Sequence, residues 1–136
     1  MTYTDWKDEV FALAEAGRYG VTTDEVRGWL SNTYYEKRFS YGTLYSPDDF
    51  LVGHKYLKLA THNRTSVQRA KRCGCYYCLE IFNPQEVNEH TLEPGGESTV
   101  ICPKCGIDSV VPETEAEVIT TELLSRVHDI MFSSDR

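Results

Sequence analysis

The stretches CYYC at residues 75–78 and CPKC at residues 102–105 decide the fold of this chain. Each Cys-x-x-Cys stretch brings two thiols together on one tight turn, and 23 residues separate the two stretches. Two such turns side by side present four sulfurs at the corners of a tetrahedron, the arrangement that Zn²⁺ takes in structural sites. The spacing therefore predicts a structural zinc ion bound by Cys75, Cys78, Cys102 and Cys105.

The fifth cysteine, Cys73, lies two positions before Cys75. An odd number of cysteines disfavours a framework of disulfides, and reduced thiols are free to bind metal. Cys73 could replace Cys75 as a ligand, but the two-residue gap between Cys75 and Cys78 fits a metal-binding turn better. We interpret Cys73 as a spare thiol and leave its ligation open.

The composition is that of a folded protein. Hydrophobic residues make up 40% of the 136 residues and aromatic residues 12%, which is enough apolar surface for a core. The first residues lack the basic and apolar blocks of a signal peptide. No apolar run approaches the roughly 20 residues of a membrane span. These features predict a cytoplasmic protein with no membrane partner.

Charge is unevenly distributed along the chain. The net charge is −7, yet residues 50–79 contain no Asp or Glu. An acidic chain is a poor general binder of nucleic acid, because contacts to phosphate supply most non-specific affinity. The basic stretch could still bind nucleic acid locally or pair with the acidic C-terminal half. The possible nucleic-acid contacts are Lys55, Lys58, Arg64, Arg69, Lys71, Arg72, Tyr76 and Tyr77.

The motifs together predict an α+β fold. We expect a small N-terminal unit of helices and an aromatic strand segment at residues 1–62 and a basic linker at residues 63–70. A four-cysteine, zinc-ribbon-like domain with a C-terminal amphipathic helix is expected at residues 71–136.

Capping signals and apolar spacing locate the helices. They predict one helix at residues 5–16, capped by Thr4 and ended by Gly17, and a second capped by Thr22 or Thr23. Because acidic residues begin the second helix, we interpret the pair as a packing unit rather than a DNA-reading helix-turn-helix. Alternation within residues 39–45 predicts a strand or hairpin. For the last helix, the sequence predicts a cap at Thr114 and an apolar stripe formed by Ile119, Leu123, Val127, Ile130 and Met131.

The segments around the cysteines resemble a known family. Residues 75–87, CYYCLEIFNPQEV, and residues 102–111, CPKCGIDSVV, are similar to small bacterial and phage proteins usually called only cytoplasmic proteins. That family has zinc-ribbon-like cysteines and a Cys-Pro-x-Cys-Gly-Ile-Asp-Ser-Val core. The resemblance covers roughly residues 72–130 and implies zinc, a cytoplasmic location and a compact fold, but no reaction.

Four cysteine ligands close the coordination shell of zinc, whereas catalytic zinc keeps a position open for water or substrate. The chain also lacks the short motifs of phosphate-binding loops, serine hydrolases and zinc proteases. A metal-dependent HNH-like nuclease is an alternative, with His54, His62, Asn63 and His90 as its candidates and Arg64 as a phosphate contact. We expect no catalytic residues and a non-enzymatic, zinc-stabilised interaction module whose partner is another protein, with nucleic acid as the alternative partner.

Overall fold

A computed structural model describes residues 1–91, 97–115 and 117–132. The described residues form six α-helices and one three-stranded antiparallel sheet, which confirms the α+β fold. The chain divides into two compact units, unit 1 at Met1–Lys55 and unit 2 at Tyr56–Arg136. The helices are α1 (Tyr3–Glu15), α2 (Thr23–Trp29), α3 (Tyr34–Ser40), α4 (Pro47–Leu59), α5 (Arg64–Arg69) and α6 (Thr121–Phe132), and the strands are β1 (Cys73–Cys75), β2 (Ile81–Phe82) and β3 (Val110–Pro112).

Unit 1 is a helical unit with an aromatic core. Its first helix begins at a capping box: the Thr2 side chain accepts the Asp5 N–H, and the Asp5 carboxylate accepts the Thr2 N–H, which satisfies donors left free at a helix start. Gly17 follows α1 with a φ of 75°, as its predicted role in ending the helix requires. The buried side chains of this unit's core are Trp6, Val10, Ala14, Val21, Val26, Phe50 and Leu51.

The predicted strand or hairpin at residues 39–45 is wrong, because this segment is the end of α3 and the turn after it. Gly42 has a φ of 69°, and the Thr43 N–H donates to the Arg38 carbonyl at 2.9 Å. This is the Schellman pattern that ends a helix at glycine. Phe39 packs against the core of unit 1 from a helix, so the alternation that suggested a strand is incidental.

His54 gives unit 1 a pH-dependent stability. Its ring stacks on Trp29 with ring centroids 3.9 Å apart, and the Tyr35 hydroxyl lies 3.3 Å from Nε2. Burial lowers the pKa of His54 from 6.5 to about 4, against the opposing effect of Glu25. The unfolded chain binds a proton as the pH falls through 6.5 and the folded chain does not. The stabilising contribution is therefore complete above pH 6.5 and is lost as the pH falls toward 4.

We expect the urea midpoint of unit 1 to be lower at about pH 5 than at about pH 7, and most of this decrease to disappear in His54→Phe. Both tryptophans, Trp6 and Trp29, lie in unit 1, so tryptophan fluorescence follows its unfolding alone. His90→Gln, a change in unit 2, is the matched control and should keep the decrease. An equal decrease in His54→Phe and the wild type would contradict this account.

The sheet of unit 2 positions the first Cys-x-x-Cys turn. Strand β1 is central and pairs antiparallel with β2 on one side and β3 on the other. Gly74 of β1 is opposite Ile81 and Val111. A Cβ atom on Gly74 would lie 2.8 Å from side-chain carbons of Ile119 and Leu124. The absence of a side chain at this position lets α6 and the segment before it pack directly on the strand.

Gly74→Ala should destabilise unit 2 by about 1–3 kcal/mol, because the side chains it would overlap are buried and must move. The control is Gly28→Ala in α2, where a Cβ meets nothing within 4 Å. That change should stabilise unit 1 by no more than about 1 kcal/mol, because alanine has a higher helix propensity than glycine and Gly28 lies near the end of α2. Urea denaturation measures both, and a Gly74→Ala variant as stable as the wild type would contradict the close packing.

The linker predicted at residues 63–70 is instead part of the folded unit. Residues Arg64–Arg69 form α5, and Val67 is buried in the same core cluster as Phe82, Val100 and Val110. Val67 is the one strongly apolar residue between Arg64 and Arg69, which is too little periodicity to predict a helix. Tertiary packing of this single side chain outweighs the polar composition.

The last helix begins later than its predicted cap. Thr120 provides the cap of α6, since its hydroxyl accepts the Leu123 N–H at 3.1 Å. Thr114 forms an isolated antiparallel bridge with Glu117 instead. The buried face of α6 consists of Leu124, Val127 and Ile130, so Leu124 replaces the predicted Leu123. No helix in the described part of the chain is long and apolar enough to cross a bilayer.

Candidate metal centre

Four thiols converge at one point in unit 2. The Sγ atoms of Cys75, Cys78, Cys102 and Cys105 all lie within 4.8 Å of one another. The Cys75–Cys105 and Cys78–Cys102 sulfurs are each 3.7 Å apart, far beyond the roughly 2.05 Å of a disulfide bond. Sulfurs at about 2.3 Å from a tetrahedral zinc ion are about 3.8 Å from one another. The cluster therefore has the donor set and the size of a possible metal site.

The two Cys-x-x-Cys turns share one hydrogen-bond pattern. In each turn the sulfur of the first cysteine accepts a hydrogen bond at 3.4 Å from the N–H two residues later, that of Tyr77 or Lys104. The carbonyl of the same cysteine accepts one from the N–H four residues later, that of Leu79 at 2.9 Å or Gly106 at 3.0 Å. Two equivalent turns thus face each other, each holding its first sulfur by a backbone donor.

The fourth residue after the first cysteine of each turn has a left-handed backbone. Gly106 has a φ of 80° and Leu79 a φ of 67°. Glycine adopts this conformation without steric cost, whereas leucine is strained in it. The sequence therefore carries a signal for this bend in the second turn and none in the first, where the tertiary structure imposes it on Leu79.

Cys73 lies outside the thiol cluster. Its side chain is buried, and its thiol lies 3.5 Å from the Phe82 carbonyl oxygen. Burial raises the pKa of Cys73 to about 12, so this thiol retains its proton. The alternative that the sequence left open is thereby decided: Cys75, and not Cys73, lies with the other three cysteines.

Cys73→Ala should keep the full metal content of the chain and cost about 1–2 kcal/mol of stability, because it removes one buried atom of a packed core. Elemental analysis of the purified variant measures its metal content, and urea denaturation measures its stability. Loss of the metal in this variant would show that Cys73 is a ligand.

The protonation of the cluster depends on its surroundings. Burial raises the pKa of Cys75, and burial likewise raises the pKa of Cys78 to about 11. Burial acts in the same direction on Cys102, but hydrogen bonds from the Lys104 and Cys105 N–H groups, together with the thiols of Cys105 and Cys78, outweigh it and lower the pKa of that thiol. A divalent cation is the group that lets four neighbouring thiols lose their protons together.

The structure separates the residues predicted to contact nucleic acid. Tyr76 is only 2% exposed, so its ring is not accessible for stacking on bases, whereas Tyr77 is 45% exposed. Arg72 donates to Glu113 at 2.8 Å and to the Ile119 carbonyl at 2.9 Å. One predicted aromatic contact and one predicted basic contact are therefore engaged inside unit 2.

Other basic residues of the stretch lie near acids of the same unit. The hydrogen bond from Arg72 and, more weakly, the charge of Lys71 lower the pKa of Glu113. Hydrogen bonds from Thr65, with a smaller effect of Arg69, lower the pKa of Glu97. The basic stretch is thus partly neutralised by the acidic C-terminal half. Lys58 and Arg64 are exposed in unit 2, and Lys55 is half-buried in unit 1.

The residues considered for a nuclease do not form a shared site. The Asn63 amide donates to the carbonyls of Leu59 and Val110, and its oxygen accepts the Val100 N–H. The His62 ring contacts the Glu97 carbonyl, and the His90 ring contacts the Thr91 carbonyl. Within the described ranges, the four cysteines are the only group of three or more potential ligands close enough to share a metal ion.

An aromatic cluster lies beside the first Cys-x-x-Cys turn. The Tyr77 ring is 5.1 Å from Phe132 and 6.2 Å from His128, both on α6. We call Tyr77, His128 and Phe132 the aromatic cluster. The four-residue spacing of His128 and Phe132 puts them on one face of the helix, but nothing local in the sequence connects that face to Tyr77.

No family model matches this chain, and no curated protein or solved structure matches it either. Its function is therefore argued from the geometry of the site.

Proposed function

We propose that this protein is a non-enzymatic, zinc-stabilised interaction module of the cytoplasm. The observation that carries the proposal is the convergence of four cysteine sulfurs within 4.8 Å. Tetrahedral sulfur donors suit zinc, although iron has similar preferences. The resemblance of residues 72–130 to small zinc-binding bacterial and phage proteins agrees with the proposal and stays a prediction.

The role proposed for zinc is structural. Cys75, Cys78, Cys102 and Cys105 would supply all four ligands, which leaves no position for a water molecule or a substrate. Cys75 and Cys102 are buried, and Cys78 and Cys105 are half-buried. The ion would join the end of β1 to the loop that precedes β3, and so hold together segments that are distant in sequence.

The partner surface that we propose is the aromatic cluster. Tyr77 is large and 45% exposed, and its neighbours His128 and Phe132 are half-buried beside it. Aromatic side chains on a rigid support are typical of the residues that contribute most to protein–protein binding. Because Tyr77 is inside a metal-binding turn, zinc would fix the position of this surface.

The metal assignment is tested by elemental analysis and Co²⁺ replacement. Protein purified without added chelator should contain one Zn²⁺ per chain, and the Co²⁺ form should show the visible absorption of a tetrahedral thiolate site. Iron at that stoichiometry would contradict the zinc assignment. A chain that binds neither metal would contradict the site.

The partner assignment is tested by photo-crosslinking in the native host. A photoreactive phenylalanine analogue replaces Tyr77, and the control replaces Leu57, which is 46% exposed in the same unit. We expect a discrete protein adduct from position 77 and none from position 57. Adducts with nucleic acid would favour the alternative partner, and identical results at both positions would contradict the proposed surface.

A further inference from the structure

Arg38, on α3, is an arginine of unit 1 with unused hydrogen-bond donors. Its Nη1 donates to the Tyr34 hydroxyl at 3.0 Å and its Nη2 to the Thr43 carbonyl at 2.9 Å. Its Nε is buried and has no hydrogen-bond partner among the residues that the structure describes. A guanidinium has five N–H donors, so apart from the buried Nε–H these two bonds leave one donor on each Nη for a further acceptor.

No carboxylate of the described residues forms an ion pair with this guanidinium. Two other arginines have such a partner: Arg27 pairs with Asp24 at 2.5 Å, and Arg72 pairs with Glu113 at 2.8 Å. Around Arg38 the described structure contains no ion pair within 4.0 Å, and the groups that act on its charge are tyrosines. A fixed positive charge with free donors and no counter-ion is the feature of an anion site.

Two aromatic rings hold the guanidinium in place. Its central carbon lies 5.8 Å from the Tyr34 ring centroid and 5.6 Å from that of Tyr45. Cation–π contacts of this length stabilise a charged side chain in one position. The bond to the Thr43 carbonyl adds a third restraint. The Tyr45 and Thr43 contacts do not involve Tyr34, so they still hold the guanidinium when a ligand takes the place of the Tyr34 hydroxyl.

Exposed rings lie along the same face. Tyr34, Arg38 and Tyr41 follow the spacing i, i+4, i+7, which aligns side chains along one side of a helix. Tyr34 is 53% exposed and Tyr41 is 79% exposed. A flat group attached to a bound anion would meet one of these rings and could stack on it.

The geometry points to a binding site at Arg38 for a ligand that carries a phosphate or carboxylate group on a flat ring. The anionic oxygens replace the Tyr34 hydroxyl as acceptor, because charge-assisted hydrogen bonds to guanidinium are stronger than bonds to a neutral phenol. The released Tyr34 ring is then free to stack on the flat part of the ligand. This site lies within unit 1 and is independent of the metal centre proposed for unit 2.

The test is an NMR titration of the full zinc-loaded chain. The Nε–H signal of Arg38 is assigned with Arg38→Lys, and the wild type is titrated at constant ionic strength. The probes are inorganic phosphate, phenyl phosphate, acetate and benzoate, with chloride as the reference anion. We expect this signal to shift saturably with the two phosphate probes or with the two carboxylate probes. Either result supports the site, and the probes that bind show whether the site takes phosphate or carboxylate. A signal that responds to none of the four more than to chloride overturns it.

Comparing probes with and without an aromatic ring tests whether the ligand needs a flat ring. The ring-bearing probe should bind at least about fivefold more tightly than its ring-free counterpart, the lower end of what stacking on an aromatic side chain contributes. Tyr34→Ala should remove this difference, whereas Tyr34→Phe keeps the ring and removes the competing hydroxyl, and should bind at least as tightly as the wild type. The ring assignment is overturned if the wild type binds ring-bearing and ring-free probes with equal affinity. It is also overturned if Tyr34→Ala keeps the same difference in affinity between them. Tryptophan fluorescence verifies that unit 1 of each variant is folded.

Discussion

Cys102→Ser should abolish metal binding and unfold unit 2 while unit 1 stays folded. The strands of unit 2 contain only three, two and three residues, so the sheet has few hydrogen bonds of its own. Structural zinc contributes an apparent binding free energy of about 10–16 kcal/mol in small domains, and whole domains are stable by only about 5–15 kcal/mol. The free energy lost with the ion is therefore as large as the whole free energy of unfolding expected for unit 2.

Two-dimensional ¹H–¹⁵N spectra measure this result. The signals of unit 2 should collapse to the narrow dispersion of an unfolded chain, both in Cys102→Ser and in the wild type treated with a strong zinc chelator. Tryptophan fluorescence should remain native, because both tryptophans report on unit 1. Cys73→Ala, a change of a cysteine outside the cluster, is the matched control and should keep a dispersed spectrum. A dispersed unit 2 in the chelated wild type would show that zinc is not required for its fold.

Asn63→Asp should destabilise unit 2 by about 3–5 kcal/mol, because a buried carboxylate would have no counter-ion. Asn63 is 2% exposed. Its amide donates to the carbonyls of Leu59 at 3.0 Å and Val110 at 2.7 Å. Aspartate replaces this donor by an acceptor, so oxygen would face oxygen at both contacts. Urea denaturation of the zinc-loaded variants, followed by tyrosine near-ultraviolet circular dichroism, measures the loss.

The control is Asn88→Asp, the same substitution at an exposed position, and it should change stability by no more than about 0.5 kcal/mol. The Asn63→Asp defect should also shrink as the pH falls. Burial raises the pKa of such a carboxyl, so the folded variant takes up a proton before the unfolded one does and is stabilised at low pH. A defect that is small, or that grows in acid, would contradict the role assigned to this amide.

The features predicted correctly from the sequence are local ones. The four cysteines of the thiol cluster are set by the Cys-x-x-Cys spacing, since two residues between the cysteines suffice to make each turn. Helix α1 and its end at Gly17 follow from apolar spacing and from a glycine that can take positive φ. In each case the residues that determine the structure are a few positions apart, so a short window contains the whole physical cause.

The features that were missed depend on contacts between distant residues. Helix α5 is held by one valine in a polar segment, and Tyr76 and Tyr77 are neighbours in the chain but differ completely in exposure. Asn63 is read from the sequence as a linker residue, yet its amide joins the end of α4 to two segments more than 35 residues away. No local pattern distinguishes such residues from ordinary surface residues, because their partners are chosen by the packed structure.

The sequence by itself determined that four thiols meet, because cysteine spacing and thiolate chemistry restrict the possible arrangements to very few. Only the tertiary structure decided which cysteine stays out of the cluster and which surfaces remain exposed around it. Cys73 and Cys75 are chemically identical and two positions apart, so alternation along β1 places both side chains on the same face of the strand, in the same buried core. What separates them is their position along β1. Cys73 pairs with Phe82 and its thiol lies at the Phe82 carbonyl, whereas Cys75 ends the strand, where its sulfur meets the other three.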